Sequence, residues 1–129
     1  MINEIKPWVF IAGPYTEPYP IYNTRRVMEW WDKLWKTKLI VPIAPHWTMF
    51  QDLLFPQPYE EWLKYDSSLL MRCDALFRLE GKSSGADEEL EKILKQNKPI
   101  FLESQYSSMI SWADEWIKRY KDNNLTNKR

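Results

Sequence analysis

The sequence predicts an α/β fold, in which helices cover both faces of a parallel β-sheet. Short apolar runs alternate with amphipathic segments of helical periodicity along the chain, which is the pattern of repeated strand–helix units. With 129 residues, the chain is long enough to bury one core, and it contains neither an internal repeat nor a linker. We therefore expect a single domain over residues 1–121, followed by a polar, frayed tail at 122–129.

Four apolar runs are predicted to be strands. These runs are Trp8–Ala12, Leu39–Ile43, Ala75–Leu79 and Pro99–Leu102. The first run ends at Gly13 and Pro14, which are typical of a turn. Pro42 lies inside the second run and has no backbone N–H to donate, so we expect that strand at an edge of the sheet or at its own end.

Helices are predicted between these strands. The first begins after an N-cap at Asn23. The second extends from Tyr59 towards Cys73, the third from about Ala86 to Asn97, and the fourth from about Ser108 to Tyr120. The proline-rich segment 44–58 is predicted to be irregular. Because a long irregular segment in a small domain is usually functional, we expect it to form one wall of a site.

The crossover rule brings the loops after the strands together. Right-handed connections place them at one edge of the sheet, so the loops that start at Gly13, Ala44 and Glu80 would face one crevice. Ligands of open α/β sheets usually bind in such a crevice. The expected architecture is a three-layer, Rossmann- or flavodoxin-like fold with four or five parallel strands.

The amino-acid composition limits which binding partners and which kinds of site are expected. The 18 basic and 18 acidic residues balance, so we expect neither a nucleic-acid polymer nor a membrane as partner. One cysteine, Cys73, and one histidine, His46, argue against a disulfide and a zinc site, and we expect no metal. The N-terminus lacks a signal-peptide pattern and no apolar stretch reaches the ~20 residues of a membrane span, so a cytoplasmic location is expected.

Familiar catalytic and phosphate-binding motifs are absent. The chain has no GxGxxG after its first strand, no GxxxxGK[ST] and no GxSxG. Any serine–histidine machinery would have to use His46, which is more simply explained as a loop histidine that packs between prolines.

Carboxylates remain as the candidate catalytic groups. Asp66 falls in the middle of an apolar helix face, where a carboxylate is costly unless it is bonded or paired. Asp87 and Glu89 both flank the apolar stripe of the following helix while Glu88 points to solvent, and spacing does not choose between the two. Each candidate also has a non-catalytic explanation. Glu89 would be an acid that the helix dipole favours, and Asp66 would be a structural carboxylate bonded to backbone or to a tyrosine. A carboxylate pair suits chemistry at a sugar carbon with an oxocarbenium-like transition state.

Three stretches together resemble the nucleoside 2-deoxyribosyltransferase family, including its branch of 2′-deoxynucleoside 5′-phosphate N-hydrolases. They are VFIAGPYT at Val9–Thr16, DSSLLMRCDAL at Asp66–Leu76 and SSGADEE at Ser83–Glu89. The third is similar to the family's S/D-x-G-x-x-x-E pattern, in which the glutamate is the nucleophile. The resemblance covers nearly the whole chain in the order of its elements. It implies that Glu89, rather than Asp87, attacks C1′ of a deoxyribose and that Asp66 moves protons or positions the sugar.

The resemblance also implies the substrate contacts and the assembly. The predicted contacts are Gly13, Tyr15, His46, Ser83, Gly85, Ser107 and Met109. Ser83 stands where the hydrolases have a serine and the transferases an aspartate, and a serine can donate to a 5′-phosphate. Ser107 and Met109 lie in a stretch that resembles the hydrolase segment entering the neighbouring subunit's site, which implies a homodimer or a higher homo-oligomer. No metal or organic cofactor is implied.

The chain departs from the hydrolase branch in its first loop. Thr16 and Glu17 occupy the region of the branch's arginine, for which Arg25 or Arg26 could substitute. The expected function is cleavage of the base–sugar bond of a 2′-deoxynucleoside 5′-monophosphate or nucleoside. The alternatives are a base-exchanging transferase, a non-catalytic nucleotide-binding protein, and an interaction protein that uses some of its eight tryptophans.

Overall fold

The computed structural model of the chain describes the backbone of residues 4–127 and the side chains of residues 4–124. Its strands are β1 Trp8–Ala12, β2 Val41–Ile43, β3 Ala75–Arg78 and β4 Ile100–Leu102. Its helices are α1 Pro20–Lys36, α2 Thr48–Leu54, α3 Tyr59–Leu70, α4 Ser84–Lys95 and α5 Tyr106–Asn127, with single 3₁₀ turns at Pro45–Trp47 and Glu103–Gln105.

The strands form one parallel sheet in the order β2-β1-β3-β4. β1 pairs with both neighbours, and its register places Phe10 opposite Ile43 on one side and opposite Leu76 on the other. β2 is an edge strand, as the position of Pro42 predicts. The α/β fold with a parallel sheet flanked by helices, consistent with a Rossmann- or flavodoxin-like architecture, is therefore confirmed.

Alternation along β1 divides the core into two layers. Val9 and Ile11 face a cluster that includes Val27 of α1 and Met109 of α5. Phe10 and Ala12 face a second cluster on the other side of the sheet, formed with the side chains of Leu70, Ala86 and Ile93 from α3 and α4. Complete burial of a Leu, Ile or Phe side chain contributes about 1.5–3 kcal/mol, so these two clusters fix the helices on the sheet.

Helix α1 begins earlier than predicted. Its first residue is Pro20, and proline suits this position because the first helical N–H has no partner within the helix. The predicted N-cap at Asn23 is wrong. The Asn23 side chain is buried, and its amide donates to the carbonyls of Tyr15 at 3.0 Å and Glu17 at 2.7 Å, which fixes the loop after β1.

Other boundaries also differ from prediction, such as the start of β2, which is Val41 rather than Leu39. Part of the supposedly irregular segment 44–58 is the short helix α2, which has no buried residue. α4 begins at Ser84 because Ser83 caps it, its Oγ accepting from the Ala86 N–H at 3.1 Å. α5 continues through most of the predicted polar tail, to Asn127, since no proline or glycine follows Tyr120. The rest of that tail lies outside the described residues.

Within residues 4–127, no helix is both long enough and apolar enough to cross a membrane.

Candidate active site

A cavity of about 770 Å³ opens at the carboxyl ends of the strands. Its walls are the loop after β1, the segment after β2, the cavity-facing side of α3 and the first turns of α4. The predicted crevice between the loops after β1, β2 and β3 is thus present, and its volume lies within the range of small-molecule sites. Segment 44–58 forms one wall through Pro45, His46, Thr48, Asp52 and Gln57.

Glu89 lies in this cavity, in the second turn of α4. The Ser83 cap starts the helix at Ser84 and so moves Glu89 out of the first turn, where a helix dipole acts most strongly on an acid. The side chain is half-buried and forms no hydrogen bond or ion pair with a described residue. Burial, followed by the negative charge of Asp66, raises the pKa of Glu89 to about 8, against the opposing charges of Lys92 and Arg78.

Asp66 reaches the same cavity from α3 and belongs to neither core cluster. Its Oδ1 atom is buried and has no hydrogen-bond partner among the described residues. The structural alternative, a carboxylate bonded to backbone or to a tyrosine, is therefore absent from the described part of the chain. Burial raises the pKa of Asp66 to about 7.

Asp66 and Glu89 together form a carboxyl pair that binds protons near neutral pH. The charge of one group acts on the other, so the pair titrates as a unit. With pKa values of about 7 and 8, the pair keeps at least one proton at pH 7. Such a pair supplies one carboxylate and one acid at the same time, as chemistry at a glycosidic carbon requires.

Asp87 has a different environment. Its side chain is 68% exposed, and its Oδ1 atom pairs with Arg78 Nη2 at 3.0 Å. Arg78 also donates to the carbonyls of Leu79 and of Gly81, the latter at 2.9 Å. Asp87 therefore helps Arg78 to hold the loop after β3. It does not line the cavity, whereas Glu89 does.

The amino end of α4 contributes Ser83 and Gly85 to the cavity. Ser83 Oγ accepts the capping hydrogen bond, and its hydroxyl hydrogen is still available to a ligand. A Cβ atom added to Gly85 would meet nothing within 4 Å, so there is open space next to its backbone. Backbone N–H groups at a helix start favour an anion.

Gly13 and Tyr15, two of the predicted substrate contacts, also line the cavity. A Cβ atom on Gly13 would lie 3.2 Å from the Leu79 Cβ, so a glycine lets the end of β1 pack against the end of β3. Tyr15 packs edge-on against His46, with 5.6 Å between the ring centroids. Burial, with a smaller effect of the Asp52 charge, raises the pKa of Tyr15.

His46 is 5% exposed and lines the cavity. Its Nε2 atom donates to the Pro14 carbonyl at 3.0 Å, which ties the segment after β2 to the loop after β1. Burial lowers the pKa of His46, so the ring is neutral and its Nδ1 atom is an acceptor. Nδ1 has no partner among the described residues.

Ser107 and Met109 are not brought into this cavity. Met109 is 0% exposed and packs in the core beside Val9, so the structure leaves it no surface for the predicted substrate contact. Its spacing matches the apolar stripe of α5, which explains its burial. Ser107 is exposed at the start of α5 and does not line the cavity, so its contact with a neighbouring subunit's substrate stays a prediction.

The two arginines suggested as phosphate ligands have other partners. Arg25 pairs with Glu29 on the surface of α1. Arg26 pairs with Glu103 and donates to the Glu80 carbonyl at 2.7 Å. Neither lines the cavity, and the substitution suggested from the sequence is not supported.

Several polar residues of the cavity were not predicted, among them Asp52, Trp62 and Lys92. Glu88, which was predicted to point to solvent, is exposed and also lines the cavity. Asp52 Oδ1 accepts from Trp62 Nε1 at 2.6 Å and from the Gln57 N–H at 2.9 Å. Trp62 could have indicated a polar partner from the sequence, since a buried indole N–H usually needs a hydrogen-bond acceptor. Asp52 is less visible in the sequence because the helix that carries it was not predicted.

Among the described residues, no group of three or more His, Cys, Asp or Glu side chains is arranged to hold a metal ion. Comparison of the chain with known protein families gives no match, and comparison with functionally characterised proteins gives none either.

Proposed function

We propose that this protein is an N-glycosidase that cleaves the base–sugar bond of a 2′-deoxynucleoside 5′-monophosphate or nucleoside, with Glu89 as nucleophile. The observation that carries the proposal is the convergence of Asp66 and Glu89 on one cavity at the carboxyl ends of the strands. The effect of Asp66 on the pKa of Glu89 supports their action as a pair. The sequence resemblance supplies the substrate class.

In the first step, Glu89 attacks C1′ of the deoxyribose while the bond from C1′ to the base breaks. Because the pKa of Glu89 is the higher of the two, the single proton of the pair resides mainly on Glu89. The reactive form is the minor one, in which this proton resides on Asp66 and Glu89 is ionised. Asp66 gives this proton to the departing base, and the sugar is left as an ester on Glu89. The half-buried site favours the reaction, because charges that develop there are poorly screened by water.

In the second step, Asp66 accepts a proton from water, and the water oxygen attacks C1′. The ester bond to Glu89 breaks, the free sugar or sugar 5-phosphate leaves, and the pair regains its starting protonation. If a second base takes the place of water, the same intermediate yields a new nucleoside. A transferase is therefore an alternative that uses the same two residues.

A 5′-phosphate is favoured by hydrogen-bond donors at the amino end of α4 and by two lysines of the cavity, of which Lys92 lies in the last turn of α4. Ser83 and Gly85 offer a hydroxyl and backbone N–H groups, and Lys82 and Lys92 line the same cavity. These groups can take the role that the sequence suggested for Arg25 or Arg26. The monophosphate is accordingly our preferred substrate, and the free nucleoside is the alternative.

We further propose a homodimer or higher homo-oligomer. Its support is the exposed apolar side chains Phe50, Leu53, Leu54 and Phe55 on and after α2. A cytoplasmic location stays a prediction. A non-catalytic nucleotide-binding protein would keep the cavity but lack turnover, so an assay separates it from the enzyme.

The test is a screen of the four common deoxynucleoside monophosphates and their nucleosides for released base, measured by chromatography. Free base in the absence of a second base indicates a hydrolase, and base exchange on adding one indicates a transferase. Ligand-dependent thermal stabilisation without any release of base would contradict the catalytic proposal and favour a binding protein.

A further inference from the structure

Two hydrogen-bond acceptors on one wall of the cavity lack a donor among the described residues. Asp52 Oδ1 is occupied by Trp62 Nε1 and the Gln57 N–H, but no hydrogen bond of a described residue reaches Oδ2. His46 Nδ1, on a side chain that is 5% exposed, also lacks a donor. Both residues line the cavity in the segment after β2. A ligand that satisfies these two acceptors must bring N–H or O–H groups to them.

Asp52 is held as an ionised carboxylate. Its two hydrogen bonds, from the Gln57 N–H first and from Trp62 second, lower the pKa of Asp52. The Thr48 hydroxyl on the same wall donates to the Pro45 carbonyl at 2.8 Å, so its hydrogen is not available to Asp52. Asp52 therefore presents a fixed negative acceptor to the cavity.

The position of Asp52 relative to the carboxyl pair indicates which part of a nucleotide meets it. Trp62 and Asp66 are four residues apart on α3, so they share a helix face with about 5–6 Å between their Cβ atoms. Asp52 accepts from the Trp62 indole and lines the same cavity as Asp66. If Asp66 protonates the departing base, the cavity places Trp62 and Asp52 among the groups that the far edge of that base can meet.

We propose that Asp52 is a specificity residue that selects bases with an exocyclic amino group on the edge away from the sugar. This inference rests on the proposed function, because that function places the base. An amino N–H donates to Asp52 Oδ2, whereas a carbonyl oxygen in its place brings its lone pairs against the carboxylate. The favoured substrates are thus nucleotides of adenine or cytosine rather than those of hypoxanthine or uracil.

The experiment uses two ligand pairs that differ by amino versus oxo, dCMP against dUMP and dAMP against dIMP. Binding is measured by calorimetry with Glu89→Gln, so that no turnover interferes, and kcat/KM is measured with the wild type. We expect the amino member of at least one pair to be favoured about ten- to hundredfold, as for a hydrogen bond to a charged group. The Asp52→Asn/Glu89→Gln double variant should reduce this ratio to within about threefold, because an amide can donate to the oxo group as well.

Two further variants separate specificity from structure. Trp62→Phe keeps an aromatic ring but removes the indole N–H that orients Asp52, so it should reduce the amino-to-oxo ratio without removing the charge. Asp32→Asn is the matched control, since Asp32 pairs with Lys36 on the surface of α1 and does not line the cavity. It should leave the ratio unchanged.

The outcomes distinguish this inference from the proposed function. Turnover with an amino-to-oxo ratio that Asp52→Asn does not alter would overturn the specificity role and keep the enzyme. In another outcome, binding favours the amino member, Asp52→Asn abolishes this preference, and the wild type shows no turnover. That outcome would support the role of Asp52 and contradict catalysis. No binding of any of the four nucleotides would overturn both.

Discussion

Asp66 on α3 and Glu89 on α4 line the same cavity, and the negative charge of Asp66 adds to burial in raising the pKa of Glu89 to about 8. Neither carboxyl forms an ion pair with a described residue. If these groups served stability alone, we would expect each to have a partner or to be replaced, since a buried carboxylate without a partner costs free energy. Their retention next to a cavity is typical of a functional site.

The first prediction concerns the dependence of activity on pH. One ionised and one protonated carboxyl are needed, so kcat/KM should follow a bell-shaped profile centred between about pH 7 and 8, where the pair holds one proton. Below this range, both groups are protonated and the nucleophile is lost. Above it, both are ionised and the acid is lost. Measurement of kcat/KM from pH 4 to pH 10 checks this, and a rate that is highest at the acid end of the range would contradict it.

The second prediction tests the coupling itself. Asp66→Asn removes a negative charge close to Glu89, so the pKa of Glu89 should fall from about 8 but stay above its usual 4.5 because burial is the larger cause. NMR titration of the side-chain carboxyl carbons measures this value directly. An unchanged pKa of Glu89 in Asp66→Asn would mean that the two groups are not coupled.

The third prediction concerns stability. The pKa of Glu89 in the folded state, about 8, lies above its usual value of 4.5, so between these pH values the folded protein binds more protons than the unfolded chain. The free energy of unfolding therefore falls as the pH rises through this window. Glu89→Gln removes this loss and should be more stable than the wild type by roughly 2–4 kcal/mol at pH 9 but not at pH 4. Urea unfolding at both pH values is the measurement, and an equal difference at both would argue against a buried Glu89.

The fourth prediction contrasts the two partners of the Arg78–Asp87 ion pair. Arg78→Met leaves the carbonyls of Leu79 and Gly81 without their donor, so we expect a loss of about 1–3 kcal/mol in the free energy of unfolding. Asp87→Asn affects a pair whose carboxylate is 68% exposed and should cost less than about 1 kcal/mol, with base release unchanged. Denaturant unfolding and the base-release assay check both. Loss of activity in Asp87→Asn at full stability would return Asp87 to consideration as the nucleophile.

The fifth prediction compares two glycines near the site. Gly81 has φ of 122°, and a Cβ atom there would lie 2.8 Å from Pro14 Cγ, so Gly81→Ala should destabilise the protein by about 1–3 kcal/mol. Gly85→Ala meets no atom within 4 Å and lies in a helix, so it should leave stability equal or up to about 1 kcal/mol higher. The added methyl group would nevertheless occupy space near the proposed phosphate. KM should therefore rise more for the monophosphate than for the nucleoside, and an equal rise would count against phosphate binding at Gly85.

Hydrophobic periodicity predicted the strands because burial controls them, and the missing N–H of Pro42 predicted the edge position of β2. β1 matches its predicted limits, and Pro42 lies in an edge strand. The failures arise where one polar contact decides a boundary. Asn23 was predicted to cap α1, but its amide bonds two carbonyls of the preceding loop. Met109 was placed in a site by resemblance, although its helical spacing already indicated the core.

The candidate site was only partly predictable for a similar reason. Spacing left Asp87 and Glu89 equivalent, and the choice depends on a contact between distant positions, the Arg78–Asp87 ion pair. Asp52 was missed because its importance comes from Trp62, ten residues away and on another helix. Such contacts depend on the tertiary fold and leave no periodic signal in the sequence.

The most direct test of the central claim is base release by Glu89→Gln beside Glu91→Gln. Both variants change a glutamate of α4 to its amide, but Glu91 is exposed and lies outside the cavity. On the substrate that the wild type cleaves best, we expect Glu89→Gln to lose at least about a thousandfold in kcat, as for removal of a covalent nucleophile, while it remains folded. Glu91→Gln should retain wild-type kcat. Full activity in a folded Glu89→Gln protein would contradict the account.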